Sequence, residues 1–209
     1  MSVKNFPKRV KVHPQNPQMR WINFAAELLK NGGVVAYPTD TRYGVGCDIL
    51  QKKAIERIYR IKKHDVHHPL SFIFPDLKRL SEYVNISTPN YKILRRCLPG
   101  PFTFILEATR LIPKIMLTNR KTVGVRIPED PIINALTTSL EGPILNSSVS
   151  GNPMFEMNDP EVIEDEIGHQ IDFILDGGII ISEPSTVVDL TGGEPVVIRE
   201  GKGDISLLS

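Results

Sequence analysis

Gly32-Gly33-Val34-Val35-Ala36-Tyr37-Pro38-Thr39-Asp40-Thr41 is the stretch of this 209-residue sequence on which the reading of the fold turns. Val34 to Tyr37 is a short, wholly apolar run, the pattern of a strand buried on both faces. Pro38 ends it, so a loop rich in hydroxyls leaves a buried strand end, where rigid scaffolds place binding groups. Just upstream, Trp21, Ile22, Ala25, Leu28 and Leu29 recur at helical spacing, and the two glycines stop that helix at about Asn31. A helix running into a buried strand that ends in a polar loop is the signature of an α/β domain.

The same pattern continues downstream. A stripe of Ala54, Ile55, Ile58, Tyr59 and Ile61 predicts a second helix, which ends in a polar segment from Lys62 to His68 before Pro69. Strands are expected at Leu70 to Phe74, Phe102 to Ala108, Thr122 to Ile127, Pro143 to Ser147, Asp172 to Leu175, Ser185 to Leu190 and Pro195 to Arg199. Helices are expected at Asp76 to Tyr83, Pro89 to Cys97, Pro131 to Leu140 and Pro160 to His169, and Leu98-Pro99-Gly100-Pro101 reads as a rigid turn. Thr191-Gly192-Gly193-Glu194 joins the last two strands as a hairpin, and strands outnumber a strict βαβ alternation. The expectation is a single domain with an open, mixed parallel and antiparallel sheet and flanking helices, in which residues 1–20 form an N-terminal extension and residues 21–205 the domain.

Composition narrows the function classes. Apolar residues make up 41% of the chain and charged residues 23%, enough for one core beneath a solvated surface. The formal net charge of +1 is too small for a protein that binds nucleic acid over its whole surface, so a site for polyanions has to be local. Lys4, Lys8, Arg9 and Lys11 give the N-terminal segment a basic bias, which a solvated terminal strand also explains. Cys47 and Cys97 lack metal or disulfide spacing and read as small core residues in a reducing compartment. No apolar run approaches the roughly 18 residues of a membrane helix, and the opening residues lack the apolar centre of a signal peptide, so a cytoplasmic protein without membrane contact is expected.

Several standard chemistries are missing. Gly201-Lys202-Gly203 lacks the hydroxyl and the following helix of a phosphate-binding P-loop. Gly44-x-Gly46 lacks the third glycine of a dinucleotide fingerprint, because Ile49 stands in its place, and a turn is the expected role of these glycines. No nucleophile elbow surrounds Ser147, Ser148 or Ser150. His64, Asp65, His67 and His68 have no second cluster to complete a zinc shell, so no metal site is expected. What remains is a set of loops and strand ends carrying hydroxyls and cations: Thr39 to Thr41, Lys62 to His68, Thr103, Arg126, Ser147 to Ser150, Ser185-Thr186 and Arg199. If they converge, Lys62, Arg126 and Arg199 present three cations to one cleft, suited to phosphates and carboxylates. Arg126 on an apolar strand demands an anionic partner, either a ligand or an internal Asp or Glu.

The opening block, with Tyr43-Gly44 after it, resembles the signature of the YrdC-like family. Three later blocks agree in order: Leu98-Pro99-Gly100-Pro101-Phe102-Thr103, then Val123-Gly124-Val125-Arg126-Ile127-Pro128, then Ser185-Thr186-Val187-Val188-Asp189-Leu190-Thr191. The resemblance runs from about Trp21 to Asp204, and within the family the chain is most like the YciO subgroup. It implies an open twisted sheet around a positively charged cavity. It also implies ATP-dependent L-threonylcarbamoyladenylate synthase activity, a nucleotidyl transfer that uses L-threonine, bicarbonate and ATP with Mg2+ as substrates for tRNA modification. By the resemblance, Thr39, Arg126 and Ser185 hold threonine and Thr103 lines the cavity, while Lys62, Ser147 or Ser148, and Arg199 handle the ATP phosphates. No residue is implied as a protein nucleophile, because the carboxylated amine of threonine attacks the α-phosphorus.

Two departures from the family pattern imply a weakened activity. His64 stands where the synthases carry the arginine of a Lys-x-Arg motif, and Asn146-Ser147-Ser148-Val149-Ser150 lacks the asparagine of the Ser-x-Asn motif. Exchanging an arginine fork for histidine removes about two charge-assisted hydrogen bonds, each worth roughly 1.5 to 3 kcal/mol. The alternative is a non-catalytic protein that binds double-stranded RNA, tRNA or rRNA, its cavity cradling a phosphate of structured RNA.

Overall fold

The computed structural model describes residues 6–62, 70–113, 116, 121–148, 158–181 and 183–209, with the backbone alone for Lys62 and Ser148. Among these residues ten strands form one sheet: β1 (Arg9–Lys11), β2 (Val35–Tyr37), β3 (Gly44–Asp48), β4 (Ser71–Ile73), β5 (Phe102–Glu107), β6 (Thr122–Arg126), β7 (Ile144–Ser148), β8 (Phe173–Asp176), β9 (Thr186–Asp189) and β10 (Val196–Arg199). Their order across the sheet is β1-β8-β2-β3-β7-β4-β6-β5-β9-β10. The pairs β1 with β8, β8 with β2, β4 with β6 and β5 with β9 are parallel, and the others are antiparallel. The sheet is therefore mixed and open, and β9 with β10 form the expected antiparallel hairpin.

Among the described residues six α-helices, α1 (Met19–Lys30), α2 (Lys52–Lys62), α3 (Leu77–Tyr83), α4 (Thr88–Cys97), α5 (Pro131–Leu140) and α6 (Pro160–Ile167), lie where the apolar stripes predict them, within a few residues. Local chemistry fixes their starts. Asp76, Ser87, Asp130 and Asp159 each accept a hydrogen bond from a backbone N–H of the first turn, and α4, α5 and α6 carry proline at their starts. Gly32, at φ +83°, turns the chain out of α1 in the left-handed region that glycine adopts without strain.

Alternation along the strands divides the apolar residues between two cores. Ala36, Val45, Phe72, Phe104, Val125, Leu145, Ile174 and Val188 face one side with residues of α2, α3, α4 and α6. Val35, Tyr37, Ile73, Ile144, Phe173 and Leu175 face the other, beneath α1 and α5. Beyond those two helices this second face is floored by small, half-buried residues on neighbouring strands, Ser71 opposite Gly124 and Thr103 opposite Val187. That shallow polar floor is where the candidate site lies.

The sequence reading is corrected at Gly44 and Gly46. They lie inside β3, in the middle of the sheet, rather than in a turn. A Cβ on Gly44 would collide with the Asn146 Oδ1 atom and the Tyr37 ring, and one on Gly46 with the Tyr37 hydroxyl, Ile144 and the Leu145 carbonyl. Glycine is depleted in strands because it has no side chain to pack, so its use here marks a close approach by neighbouring side chains. Arg9–Lys11, inside the segment expected as an extension, is an edge strand; Arg9 bridges to Asp176 at 3.0 Å and to Glu164 at 2.7 Å. Cys47 and Cys97 are buried free thiols. No described helix is long and apolar enough to cross a membrane.

Candidate ligand-binding site

The loop after β2 is built by Thr39. Its hydroxyl donates to the Arg42 carbonyl at 2.7 Å and accepts from the backbone N–H groups of Thr41 and Arg42, both at 3.2 Å. This local turn, which threonine forms readily, holds the loop in place and sets the Thr39 and Thr41 hydroxyls 3.1 Å apart. It also aims Asp40 across the sheet at the end of β6. There, the Arg126 Nη2 atom donates to Asp40 Oδ1 at 2.7 Å and to the Thr41 hydroxyl at 3.0 Å, while Asp40 Oδ2 accepts from the Glu129 backbone N–H at 3.0 Å.

Arg126 is 6% exposed, and among the described residues its Nε–H has no acceptor. Burial pushes its pKa down, with Asp40 and Tyr37 opposing and Arg199 adding to the fall. Arg199 therefore lies within electrostatic reach of Arg126. Its own pKa is lowered by burial and then by Arg42. Like charges are crowded here around one paired carboxylate, an arrangement that favours an arriving anion.

A second set of contacts extends the site along β5 and β9. Arg199 donates from Nε and Nη2 to the Ser185 carbonyl at 3.2 and 2.8 Å, and from Nη2 to the Ser185 hydroxyl at 3.2 Å. That hydroxyl lies 2.8 Å from the Thr103 hydroxyl, and the Thr103 methyl packs over Gly124, where a Cβ would meet it at 3.2 Å. Glycine at position 124 thus keeps the floor open between Thr103 and Ser71. From the other side, Tyr37 donates to Asn146 Oδ1 at 3.0 Å and Asn146 Nδ2 donates to the Ser71 hydroxyl at 2.9 Å. Burial raises the Tyr37 pKa well above the usual phenol range, so Tyr37 stays a neutral donor.

A family model for Sua5, YciO and YrdC, described as telomere recombination, matches residues 27–201. The chain belongs to the Sua5/YciO/YrdC family. It is 42% identical over 196 residues to YciO of Escherichia coli strain K12, covering 93% of this chain and 95% of YciO. The crystal structure of E. coli YciO matches it with a TM-score of 0.91 at 40% identity, over 98% of this chain and 100% of that one. A putative threonylcarbamoyl-AMP synthase of Methanocaldococcus jannaschii is 30% identical over 96% of this chain and 95% of its own length. Sua5 of Pyrococcus abyssi, solved in complex with L-threonine, matches with a TM-score of 0.86 at 29% identity, over 92% of this chain and 57% of Sua5.

Within this Sua5/YciO/YrdC domain, Thr39, Arg126, Thr103, Ser185 and Arg199 fall into one connected neighbourhood. Ser147 is buried on β7 opposite Val45. His64 lies outside the described residues, as do the side chains of Lys62 and Ser148. Of the three cations expected to converge, Lys62 has its side chain outside the described residues; Arg126 and Arg199 belong to the two contact sets above, and the Lys202 amine links them by donating to the Asp40 carbonyl at 2.6 Å.

Asp40, Arg42 and Lys202 are the residues that sequence reasoning passed over. Asp40 sits inside the very block that decided the fold, and the demand of Arg126 for an internal carboxylate was the signal that could have found it. Arg42 and Lys202 carry no pattern of their own. Thr186 proves structural: its hydroxyl donates to the Gly203 carbonyl at 2.8 Å and accepts from the Gly201 N–H at 3.0 Å.

Proposed function

We propose that this cleft binds L-threonine and ATP, and that the chain is a threonylcarbamoyl-AMP synthase of weakened activity serving tRNA modification. The observation that carries the reading is the pair of contact sets, Thr39–Thr41–Arg126 and Thr103–Ser185–Arg199, linked by Lys202, whose amine donates to the Asp40 carbonyl and whose backbone N–H donates to the Pro184 carbonyl. The L-threonine complex of P. abyssi Sua5 supports it through the shared fold.

In this reaction the amine of threonine and bicarbonate form a carbamate with loss of water. A carbamate oxygen then attacks the α-phosphorus of ATP, which arrives with Mg2+, and pyrophosphate leaves. No protein nucleophile is required. The protein holds anions in line and offsets their charge, and both tasks suit fixed guanidinium and hydroxyl groups. Arg126, fixed by Asp40 and Thr41, supplies positive charge for the threonine carboxylate, the Thr39, Thr103 and Ser185 hydroxyls line the amino-acid end, and Arg199 serves the phosphates. The basic character of the cavity follows from the same residues.

A second reading, a non-catalytic protein that binds double-stranded RNA, tRNA or rRNA, is favoured by one observation. Asn146 spends both ends of its amide on Tyr37 and Ser71, so it does not stand in for the asparagine missing from the family's Ser-x-Asn motif. Pyrophosphate release with L-threonine, bicarbonate, ATP and magnesium separates the readings. Turnover that depends on threonine and rises in His64→Arg is the expected result. Absence of turnover in both proteins, together with tRNA binding that falls steeply with salt, would establish the second reading instead.

A further inference from the structure

Gly201-Lys202-Gly203 is no P-loop, yet the fold gives it a place at the site. The segment is pinned to the start of β9. The Gly201 N–H donates to the Thr186 hydroxyl, the Lys202 N–H to the Pro184 carbonyl at 2.9 Å, and the Thr186 hydroxyl in turn to the Gly203 carbonyl. Both glycines are required by space. A Cβ at Gly201 would collide with the Pro184 carbonyl and lie 2.9 Å from the Ser185 carbonyl, and one at Gly203 would lie 2.7 Å from the Phe102 ring. The Lys202 backbone is therefore fixed beside Ser185, which Arg199 grips from the other side.

From that anchor the Lys202 side chain crosses to the loop after β2 and donates to the Asp40 carbonyl at 2.6 Å, on the residue whose carboxylate pairs with Arg126. Its acceptor is neutral, and among the described residues Lys202 makes no ion pair. The ammonium has three N–H groups in all, and one carbonyl satisfies only part of that capacity. A flexible four-carbon stem on a rigid base can turn to an anion in the cleft and leave only a neutral hydrogen bond behind.

We infer that Lys202 is a ligand-binding residue of this site, supplying a mobile cation to an anionic oxygen of the bound substrate. The inference rests on the proposed binding of L-threonine and ATP. It adds a residue one position beyond the stretch that the family model matches. Two substrate groups share the required chemistry, the threonine carboxylate and the ATP phosphates, and separate titrations distinguish them.

Calorimetric titration of the full chain with L-threonine and, separately, with ATP and magnesium tests the idea in wild type, Lys202→Met and Lys202→Arg. One charge-assisted hydrogen bond is worth about a tenfold to hundredfold change in affinity. The expected result is a loss of that size in Lys202→Met for at least one ligand, largely restored in Lys202→Arg, with the melting temperature of the free protein unchanged. Loss confined to threonine assigns the contact to its carboxylate, and loss confined to ATP assigns it to the phosphates. If wild type and Lys202→Met bind both ligands equally, the role of Lys202 is overturned and the functional reading stands. If wild type binds neither ligand, that reading falls and takes this inference with it.

Discussion

Arg126 shows how a buried cation is held in place. Its Nη2 edge is committed to Asp40 and Thr41, and among the described residues its buried Nε–H has no acceptor. Removing one partner of a buried ion pair strands the other, at a cost of about 3 to 5 kcal/mol. Arg126→Leu is therefore expected to lower the urea unfolding free energy by about that amount. Adding Asp40→Asn should recover part of the loss, because the stranded carboxylate is then gone; equal stability of wild type and the single variant would show that the pair is not coupled. The need of Arg126 for an anion was legible from an apolar strand ending in a guanidinium. The identity of the anion was not, since Asp40 lies 86 positions away in sequence.

Among the elements, β3 is the strand that the sequence concealed. Two of its five residues are glycine, which reads as a turn in one dimension. In three dimensions those glycines make room for Tyr37 and Asn146, whose hydrogen bond runs across the strand. Gly46→Ala forces a methyl group against the Tyr37 hydroxyl, Ile144 and the Leu145 carbonyl. Overpacking of this kind costs about 1 to 3 kcal/mol, seen as a lower denaturant midpoint with an unchanged slope. A variant as stable as wild type would mean that the neighbouring strands relax freely. The helices and the remaining central strands were legible because apolar spacing and caps are local signals: Asp130, for example, both precedes the stripe of α5 and accepts from Ile132 and Ile133.

At the scale of the whole molecule, stability against pH gathers these local environments into one measurement. Burial raises the pKa of Asp130 to about 6 from its ordinary value of 3.8, against the pull of the Ile133 and Ile132 N–H groups and with a further push from Asp40. The folded state thus holds this proton more tightly than the unfolded state. Between about pH 4 and pH 6 the unfolded chain binds fewer protons at this position, so its contribution to stability falls as pH rises. Asp130→Asn, which keeps the capping acceptor without the charge, should match wild type in pH response below about pH 4 and gain on it up to about pH 6. A constant offset across that range would show that Asp130 titrates normally.

The sequence by itself determined the α/β class, the mixed sheet, most elements and the family, because apolar periodicity, caps, turns and ordered motif blocks are written within short spans of chain. It also marked Thr39, Thr103, Arg126, Ser185 and Arg199. Only the tertiary structure decided that these meet, that Asp40 neutralises one guanidinium, and that Arg42 and Lys202 stand beside them. Strands adjacent in the sheet are distant in the chain, so which charges become neighbours is fixed by strand order and register, quantities that no local pattern of residues contains.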